Sequence, residues 1–118
     1  MAFLARHGSD VLVPAAAMDG KVSVPSNYRG KILHQLTRAG LLESTRGRTG
    51  GFRLARPASR IRLEDVVAPF EPRTENTCML GRARCQDAHP CCSAHVRWRE
   101  LRRTRDEFLR DTTVADVA

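Results

Sequence analysis

The sequence predicts a mainly α-helical chain with one small β-hairpin, an α+β fold, and three observations support this. Apolar residues recur every three or four positions between residues 26 and 39, which is the spacing of an amphipathic helix. The same spacing returns after residue 93. Between these stretches, residues 46–54 are basic and interrupted by glycines, which is typical of a tight hairpin. The 118 residues suffice for one domain, or for one small domain with an appendage.

The positive charge of the chain is unevenly distributed. The formal net charge is +7, and residues 1–60 hold ten Lys and Arg against three acidic residues, whereas residues 61–118 hold ten of each sign. A localised basic surface suits DNA, because neutralising phosphates releases counterions. The sequence contains no run near the ~20 apolar residues of a membrane helix and no secretory signal pattern, so we expect a cytoplasmic protein.

The first part of the chain is expected to be helical. Residues 1–6 have a helix-forming composition but are too few to form a helix alone, so we interpret them as the last part of a longer helix. Pro14 suits the start of a short helix over residues 15–18, and Gly20 is expected to end it.

A second helix is predicted to begin at Pro25, with Ser26 capping its free amides. The side expected to be buried carries Tyr28, Ile32, Leu36 and Ala39, with Leu33 at its edge. The opposite side carries Asn27, Lys31, His34, Gln35 and Arg38. Two helices joined by a short turn predict a helix-turn-helix motif, whose second helix enters the major groove of DNA. The candidates for contacts with base edges or nearby phosphates are Ser26, Asn27, Arg29, Lys31 and Gln35.

The hairpin that follows is predicted to be a DNA-binding wing. Residues 41–45 form its first strand, and Gly50 and Gly51 are expected to reverse the chain with positive φ. Phe52 and Leu54 are expected to face the core. A hairpin that is merely solvated is the alternative, but its position after a helix-turn-helix motif favours a wing. The arginines expected to contact phosphates or the minor groove are Arg46, Arg48 and Arg53.

Two further helices are predicted in the second half of the chain. Residues 63–70 form a short amphipathic helix that ends at Pro69. A longer helical pattern begins at Ser93, and its large apolar side chains need a partner surface, which predicts a dimer interface. The interface residues are expected to be Trp98, Leu101, Phe108 and Leu109. The alternative is that this helix packs only on its own winged domain.

All four cysteines of the chain lie between residues 78 and 92. They are Cys78, Cys85, Cys91 and Cys92. Thiolates bind zinc or the iron of iron-sulfur clusters, and these spacings are wider than the knuckles of structural zinc sites. The spacing therefore favours a bulkier inorganic core, while a zinc site, a thiol-disulfide switch and inert surface thiols remain alternatives.

Several segments together resemble the Rrf2 family of bacterial regulators, of IscR and NsrR type. They are residues 46–57, 61–67, 92–98, 108–109 and 112–117, so that the resemblance extends over nearly the whole chain. The resemblance implies a homodimeric winged-helix repressor or activator. It also implies that the long C-terminal helix forms the dimer interface and that the loop cysteines hold an iron-sulfur cluster, 2Fe-2S in preference to 4Fe-4S.

The resemblance also suggests the cluster ligands. Cys78, Cys85 and Cys92 are similar to the three family cysteines, because a Cys-x2-His-x2-Trp pattern begins at Cys92. His95 is then similar to the histidine that serves as a fourth ligand, and Cys91 is an alternate ligand. His95 could instead be a helix-start residue packed near the tryptophan. Family members usually begin earlier than this chain, which implies that Met1 falls inside their first helix.

These expectations define three regions and a function. Residues 1–70 form the winged helix-turn-helix domain, residues 71–92 the cluster-binding loop, and residues 93–118 the dimerisation helix and tail. We expect a transcriptional repressor that binds operator DNA as a homodimer and senses redox state, nitric oxide or iron and iron-sulfur status. We do not expect an enzyme. The alternatives are a DNA-binding regulator with a zinc or thiol-disulfide switch, and a small thiol or iron-sulfur redox protein.

Overall fold

A computed structural model of the chain describes residues 1–71 and 93–118. Within these ranges the fold is mainly helical with one two-stranded antiparallel sheet, as the sequence predicts. The elements in chain order are α1 (Ala2–Ala5), a 3-10 turn (Ala15–Met18), α2 (Ser26–Arg38), β1 (Leu42–Thr45), β2 (Gly51–Leu54), a second 3-10 turn (Ala58–Arg60), α3 (Leu63–Val67) and α4 (His95–Asp111).

The helix-turn-helix motif is built from the first 3-10 turn and α2. The turn begins after Pro14, and Gly20 follows it with φ +68°, which agrees with the predicted end of this segment. Helix α2 begins at Ser26 with Pro25 in the capping position and without a capping side-chain hydrogen bond. The prediction that Ser26 caps the helix is therefore wrong, because this serine lies within the first turn.

The buried side of α2 is displaced by one residue from the predicted side. Arg29, Leu33 and Leu36 are buried, whereas Tyr28 is 60% exposed. Ile32 is half-buried against the core. Spacings of four and three residues fit either side of the helix, so periodicity alone did not distinguish them. The observed side places an arginine in the apolar stripe, where its side chain is paired with an acidic residue.

The wing is an antiparallel hairpin, with Leu42 opposite Leu54 and Thr45 opposite Gly51. On its other edge β2 pairs briefly with Val13, whose amide and carbonyl both bond to the backbone of Phe52 at 2.9 Å. This bridge connects the segment that precedes the helix-turn-helix motif to the wing. Leu54 is buried and Phe52 packs against the core, as predicted.

The glycines of the wing act differently from the prediction. The residue with positive φ in the hairpin is Gly47, at +111°, and neither Gly50 nor Gly51 adopts a positive φ. A Cβ on Gly50 would lie 2.1 Å from the Thr45 carbonyl oxygen, and one on Gly51 would lie 2.6 Å from the Val13 carbonyl carbon and oxygen. These two glycines therefore permit close backbone approach rather than chain reversal.

One apolar core joins residues from both ends of the described chain. Its buried members are Leu4, Val13, Met18, Leu33, Leu36, Leu41, Leu42, Leu54, Ile61 and Val114. Ile61 and Val114 have no exposed surface, and the Val114 amide donates to the Ile61 carbonyl at 2.8 Å. The Leu63 amide donates to the Thr112 carbonyl at 2.9 Å. The C-terminal end of α4 is thereby attached to the winged domain.

A local hydrogen-bonded turn stabilises the segment that follows α4. The hydroxyl and amide of Thr113 both donate to Asp116 Oδ2 at 2.7 Å. The hydroxyl bond, followed by the amide bond, lowers the pKa of the Asp116 carboxyl below its ordinary value.

Helix α3 is shorter than predicted, since it ends at Val67 rather than at Pro69. Leu63 and Val66 pack against the core, and α4 lies against α3. Arg105 of α4 forms an ion pair with Glu71. Predicted region 71–92 lies, apart from Glu71, outside the described residues.

Replacing Gly51 with alanine should destabilise the fold by about 1–3 kcal/mol, the usual cost of overpacking, because the new methyl group meets backbone atoms that cannot move aside cheaply. Urea denaturation followed by circular dichroism measures this loss. Gly30→Ala is the matched control, because a Cβ there meets nothing within 4 Å and alanine favours the helix by ~1 kcal/mol. Equal effects of the two substitutions would contradict the assignment of a close contact at Gly51.

Candidate nucleic-acid interface

The exposed side of α2 carries most of the residues that were predicted to contact DNA. Ser26, Asn27, Lys31 and Gln35 are exposed, and so are the neighbouring His34 and Arg38. The first two of these residues lie in the first turn of the helix, which is the part that usually meets base edges in helix-turn-helix proteins. The helix therefore offers hydroxyl, amide and ammonium groups on one accessible surface.

Among the residues of α2 that are predicted to contact DNA, Arg29 differs from the expectation in its placement. Its side chain is only 11% exposed, and it donates through Nη2 to Asp19 Oδ1. The predicted set assumed an accessible guanidinium, whereas the structure places this group in the stripe that also contains Leu33 and Leu36.

Tyr28 is a surface residue that the sequence prediction assigned to the core. Its ring is exposed beside Lys31, whose Nζ lies 5.8 Å from the ring centroid. This distance is within the range of a cation-π contact. A tyrosine at helical spacing gives no sequence signal that separates a core position from an exposed one, so the prediction could not have identified it.

Two arginines lie at the tip of the wing, on either side of Gly47. Arg46 and Arg48 are both exposed. Neither forms an ion pair or a side-chain hydrogen bond with a residue in ranges 1–71 and 93–118. Their full charges are consequently available to a polyanion.

Arg53, the third predicted wing arginine, is held on the strand rather than at the tip. It lies opposite Glu43 in the sheet, and its Nη2 is 2.7 Å from Glu43 Oε2. Its Nε donates to the same oxygen at 2.8 Å. Both side chains are substantially exposed, so the pair adds at most ~1 kcal/mol to stability, but it compensates the charge of Arg53 locally.

The predicted metal ligands are only partly within the described residues. Cys78, Cys85, Cys91 and Cys92 lie outside them, and no group of three or more potential ligands occurs within residues 1–71 and 93–118. His95 is the first residue of α4 and is buried. The described helices also include none that is long and apolar enough to span a membrane.

Comparison with known proteins identifies the family. The Rrf2 family model, described as an iron-dependent transcriptional regulator, matches residues 1–118. The chain belongs to the Rrf2 family. One relative is the HTH-type transcriptional regulator IscR of Vibrio atlanticus strain LGP32, which is 32% identical over 114 residues. That alignment covers 97% of this chain and 65% of the relative.

Solved structures confirm the winged-helix fold of this Rrf2 member. T. potens IscR superposes with a TM-score of 0.74 at 23% identity, covering 98% of this chain and 75% of the other. CymR, the global cysteine regulator of B. subtilis, gives a TM-score of 0.80 at 23% identity, covering 99% and 85%. The predicted fold class is confirmed, and the protein is a DNA-binding transcriptional regulator rather than an enzyme.

Arg48→Ala should weaken binding to every DNA duplex, because it removes one exposed positive charge from the wing tip. We expect the slope of log Kobs against log salt to become less negative by about 0.9, the contribution of one phosphate contact. Fluorescence anisotropy over a salt series measures this slope.

The matched control replaces Glu43 and Arg53 together with glutamines, which removes one negative and one positive charge from the same hairpin. That variant should retain the wild-type slope. An unchanged slope for Arg48→Ala would contradict a phosphate contact at the wing tip.

Proposed function

We propose that this Rrf2 regulator is a repressor that senses redox state, nitric oxide or iron-sulfur status through an iron-sulfur cluster. The proposed ligands are Cys78, Cys85, Cys92 and His95, with Cys91 as the alternate. The observation that carries the proposal is that the family match includes all 118 residues, so that the cysteine segment and His95 belong to the matched region.

The chemistry of the donor set fits such a cluster. Thiolates are soft ligands that bind iron-sulfur clusters, and a histidine can replace a thiolate on one iron. When bound, the cluster would supply iron that exchanges electrons and reacts with oxygen or nitric oxide. The described member of the set, His95, is buried at the first residue of α4, so its imidazole is positioned by a long helix.

Helix α4 gives a physical route between the ligand segment and the DNA-binding surface. Its first residue is His95, and its last turn is followed by Thr112 and Val114, which bond to the backbone of Leu63 and Ile61. A change of position at His95 would therefore act on the winged domain through one continuous helix. The positions of its two ends therefore support a role for α4 in regulating DNA binding according to whether the cluster is bound.

We further propose that α4 forms the interface of a homodimer. Leu101 and Phe108 lie seven residues apart, on one side of the helix, and are 61% and 56% exposed. Trp98 and Leu109 are half-buried. Exposed apolar side chains at this spacing are typical of a helix that packs against another helix. A dimer would also place two α2 helices on the two half-sites of an operator.

The proposed regulator acts on operator DNA in the cytoplasm, and each of its three predicted regions has one role. Residues 1–70 would read DNA, residues 71–92 would hold the cluster, and residues 93–118 would connect and dimerise the two readers. The charge distribution supports this division, because the excess of positive charge lies in residues 1–60.

The cluster is tested by purification without oxygen. We expect a coloured protein that contains iron and acid-labile sulfide in equal amounts, and whose operator affinity changes after exposure to air or nitric oxide. Cys92→Ser should lose both iron and sulfide, whereas its neighbour Cys91→Ser should retain them, and the reverse result would assign the ligand to the alternate Cys91. Zinc without sulfide, or a metal-free protein whose DNA affinity follows the thiol redox state, would contradict the cluster.

The dimer is tested by placing a charge on the exposed apolar side of α4. Phe108→Glu should convert a dimer into a monomer, because the carboxylate would have to be buried in an apolar contact. Light scattering after size-exclusion chromatography measures the mass. Arg110→Glu, two residues along and on the opposite side of the helix, should leave the dimer intact. A wild-type monomer at micromolar concentration, or a dimer that survives Phe108→Glu, would refute this interface.

A further inference from the structure

We propose that Arg29 is a positioning residue for DNA reading, and that its ion pair with Asp19 sets the orientation in which α2 meets the major groove. In this view Arg29 does not contact DNA. It acts through the helix on which it lies. The inference depends on the winged-helix regulator assignment and not on the presence of a cluster.

The pair connects the two helical segments of the helix-turn-helix motif. Asp19 directly follows Met18, which is buried at the end of the first 3-10 turn. Arg29 lies in the first half of α2, in line with the buried Leu33 and Leu36. The contact between Arg29 Nη2 and Asp19 Oδ1 therefore spans the whole turn of residues 19–25 that separates the segments.

Burial makes this contact a constraint rather than a loose surface pair. The Arg29 side chain is 11% exposed, while that of Asp19 is 59% exposed. Arginine remains protonated in proteins, so a buried guanidinium cannot relieve the cost of burial by losing its proton. It must keep a partner or move out of the stripe. Either change would alter how the first turns of α2 pack on the core.

The residues that face DNA are close to Arg29 on the same helix. Asn27 and Lys31 lie two positions before and after it, and both are exposed. Hydrogen bonds to base edges require donor and acceptor within a few tenths of an ångström of their preferred distance, so a small rotation of α2 would weaken them. Arg46 and Arg48 lie on the wing, and phosphate contacts made from there tolerate such a rotation better.

A direct phosphate contact by Arg29 is the competing explanation. The two explanations predict different effects of Asp19→Asn on the affinity for DNA. If Asp19 only masks an arginine that contacts DNA, Asp19→Asn would release that charge and tighten binding to any duplex. If the pair orients α2, the same substitution loosens α2 and lowers sequence discrimination.

The experiment compares two duplexes of equal length and base composition. One is the sequence that the wild-type protein selects from a random duplex library, and the other is its scrambled version. We expect Asp19→Asn to reduce the ratio of the two affinities by about tenfold, the discrimination that one base contact supplies. Affinity for the scrambled duplex should stay within about twofold, as is usual for a surface substitution.

Three companion variants separate orientation from general damage. Asp19→Glu retains a carboxylate, so it should keep most of the wild-type affinity ratio. Arg29→Gln removes the other partner of the pair and should reduce the affinity ratio as Asp19→Asn does. Asp65→Asn makes the same chemical change in the exposed pair with Arg56 and should leave the ratio unchanged. Thermal denaturation of each variant checks folding, since partial unfolding lowers both affinities by the same factor and leaves their ratio as it was.

Tighter binding of Asp19→Asn to both duplexes, or an unchanged ratio, would overturn the inference. A wild-type protein that selects no sequence would overturn it as well, and would also refute specific operator binding. Iron and sulfide are measured in the same oxygen-free samples. A colourless wild-type protein in which Asp19→Asn still reduces the ratio of the two DNA affinities would therefore refute the cluster and support the role of Arg29.

Discussion

The backbone pairing between Val13 and Phe52 is the contact on which the DNA-facing surface depends. Both hydrogen bonds of this bridge are 2.9 Å long. The two backbone segments can approach so closely because the neighbouring Gly51 has no Cβ to meet the backbone of Val13. Because Val13 precedes the helix-turn-helix motif and Phe52 lies in the wing, the bridge holds both DNA-facing elements on one core. The hairpin is also held by Leu42 and Leu54, which are buried in the same core, and by the contact of β2 with α1.

The arginines of the first half of the chain act in different ways although they are chemically identical. Arg46 and Arg48 are exposed at the wing tip and keep their charge available. Arg53 is compensated across the strand by Glu43, and Arg29 is compensated inside the motif by Asp19. The net charge of +7 already subtracts Asp19 and Glu43, so it is the count of ten Lys and Arg in residues 1–60 that overstates the uncompensated positive charge facing a DNA duplex.

The location and type of most described elements could be predicted from the sequence, because local signals determine them. Pro14 and Gly20 bound the first 3-10 turn, and the break in helical periodicity at the hairpin separates α2 from the sheet. The buried side of α2 could not be predicted. The buried Arg29 is paired with Asp19, and the approach of these two side chains is a tertiary fact that local sequence signals do not contain. The helical spacing of apolar residues alone would never assign an arginine to a core stripe.

The candidate site was predictable to a similar degree. The glycine-rich basic hairpin correctly indicated an exposed basic tip, but Gly50 and Gly51 serve close packing, and the positive φ belongs to Gly47. Glycine supports both uses, so the sequence does not separate them. The cysteine ligands lie outside the described residues, and for them the prediction rests on thiol chemistry and family membership.

The backbone bonding of the C-terminal end of α4 to residues 61–63 has a mechanical consequence. The 17 residues of α4 extend for about 25 Å, so His95 lies about 25 Å along the helix from the end that precedes the bridge between Arg62 and Thr113. Over that length, a sideways displacement of about 2 Å at His95 corresponds to a change of only about 5° in the direction of the helix. A small displacement at His95 would therefore reach residues 61–63 as a small change in the angle of α4.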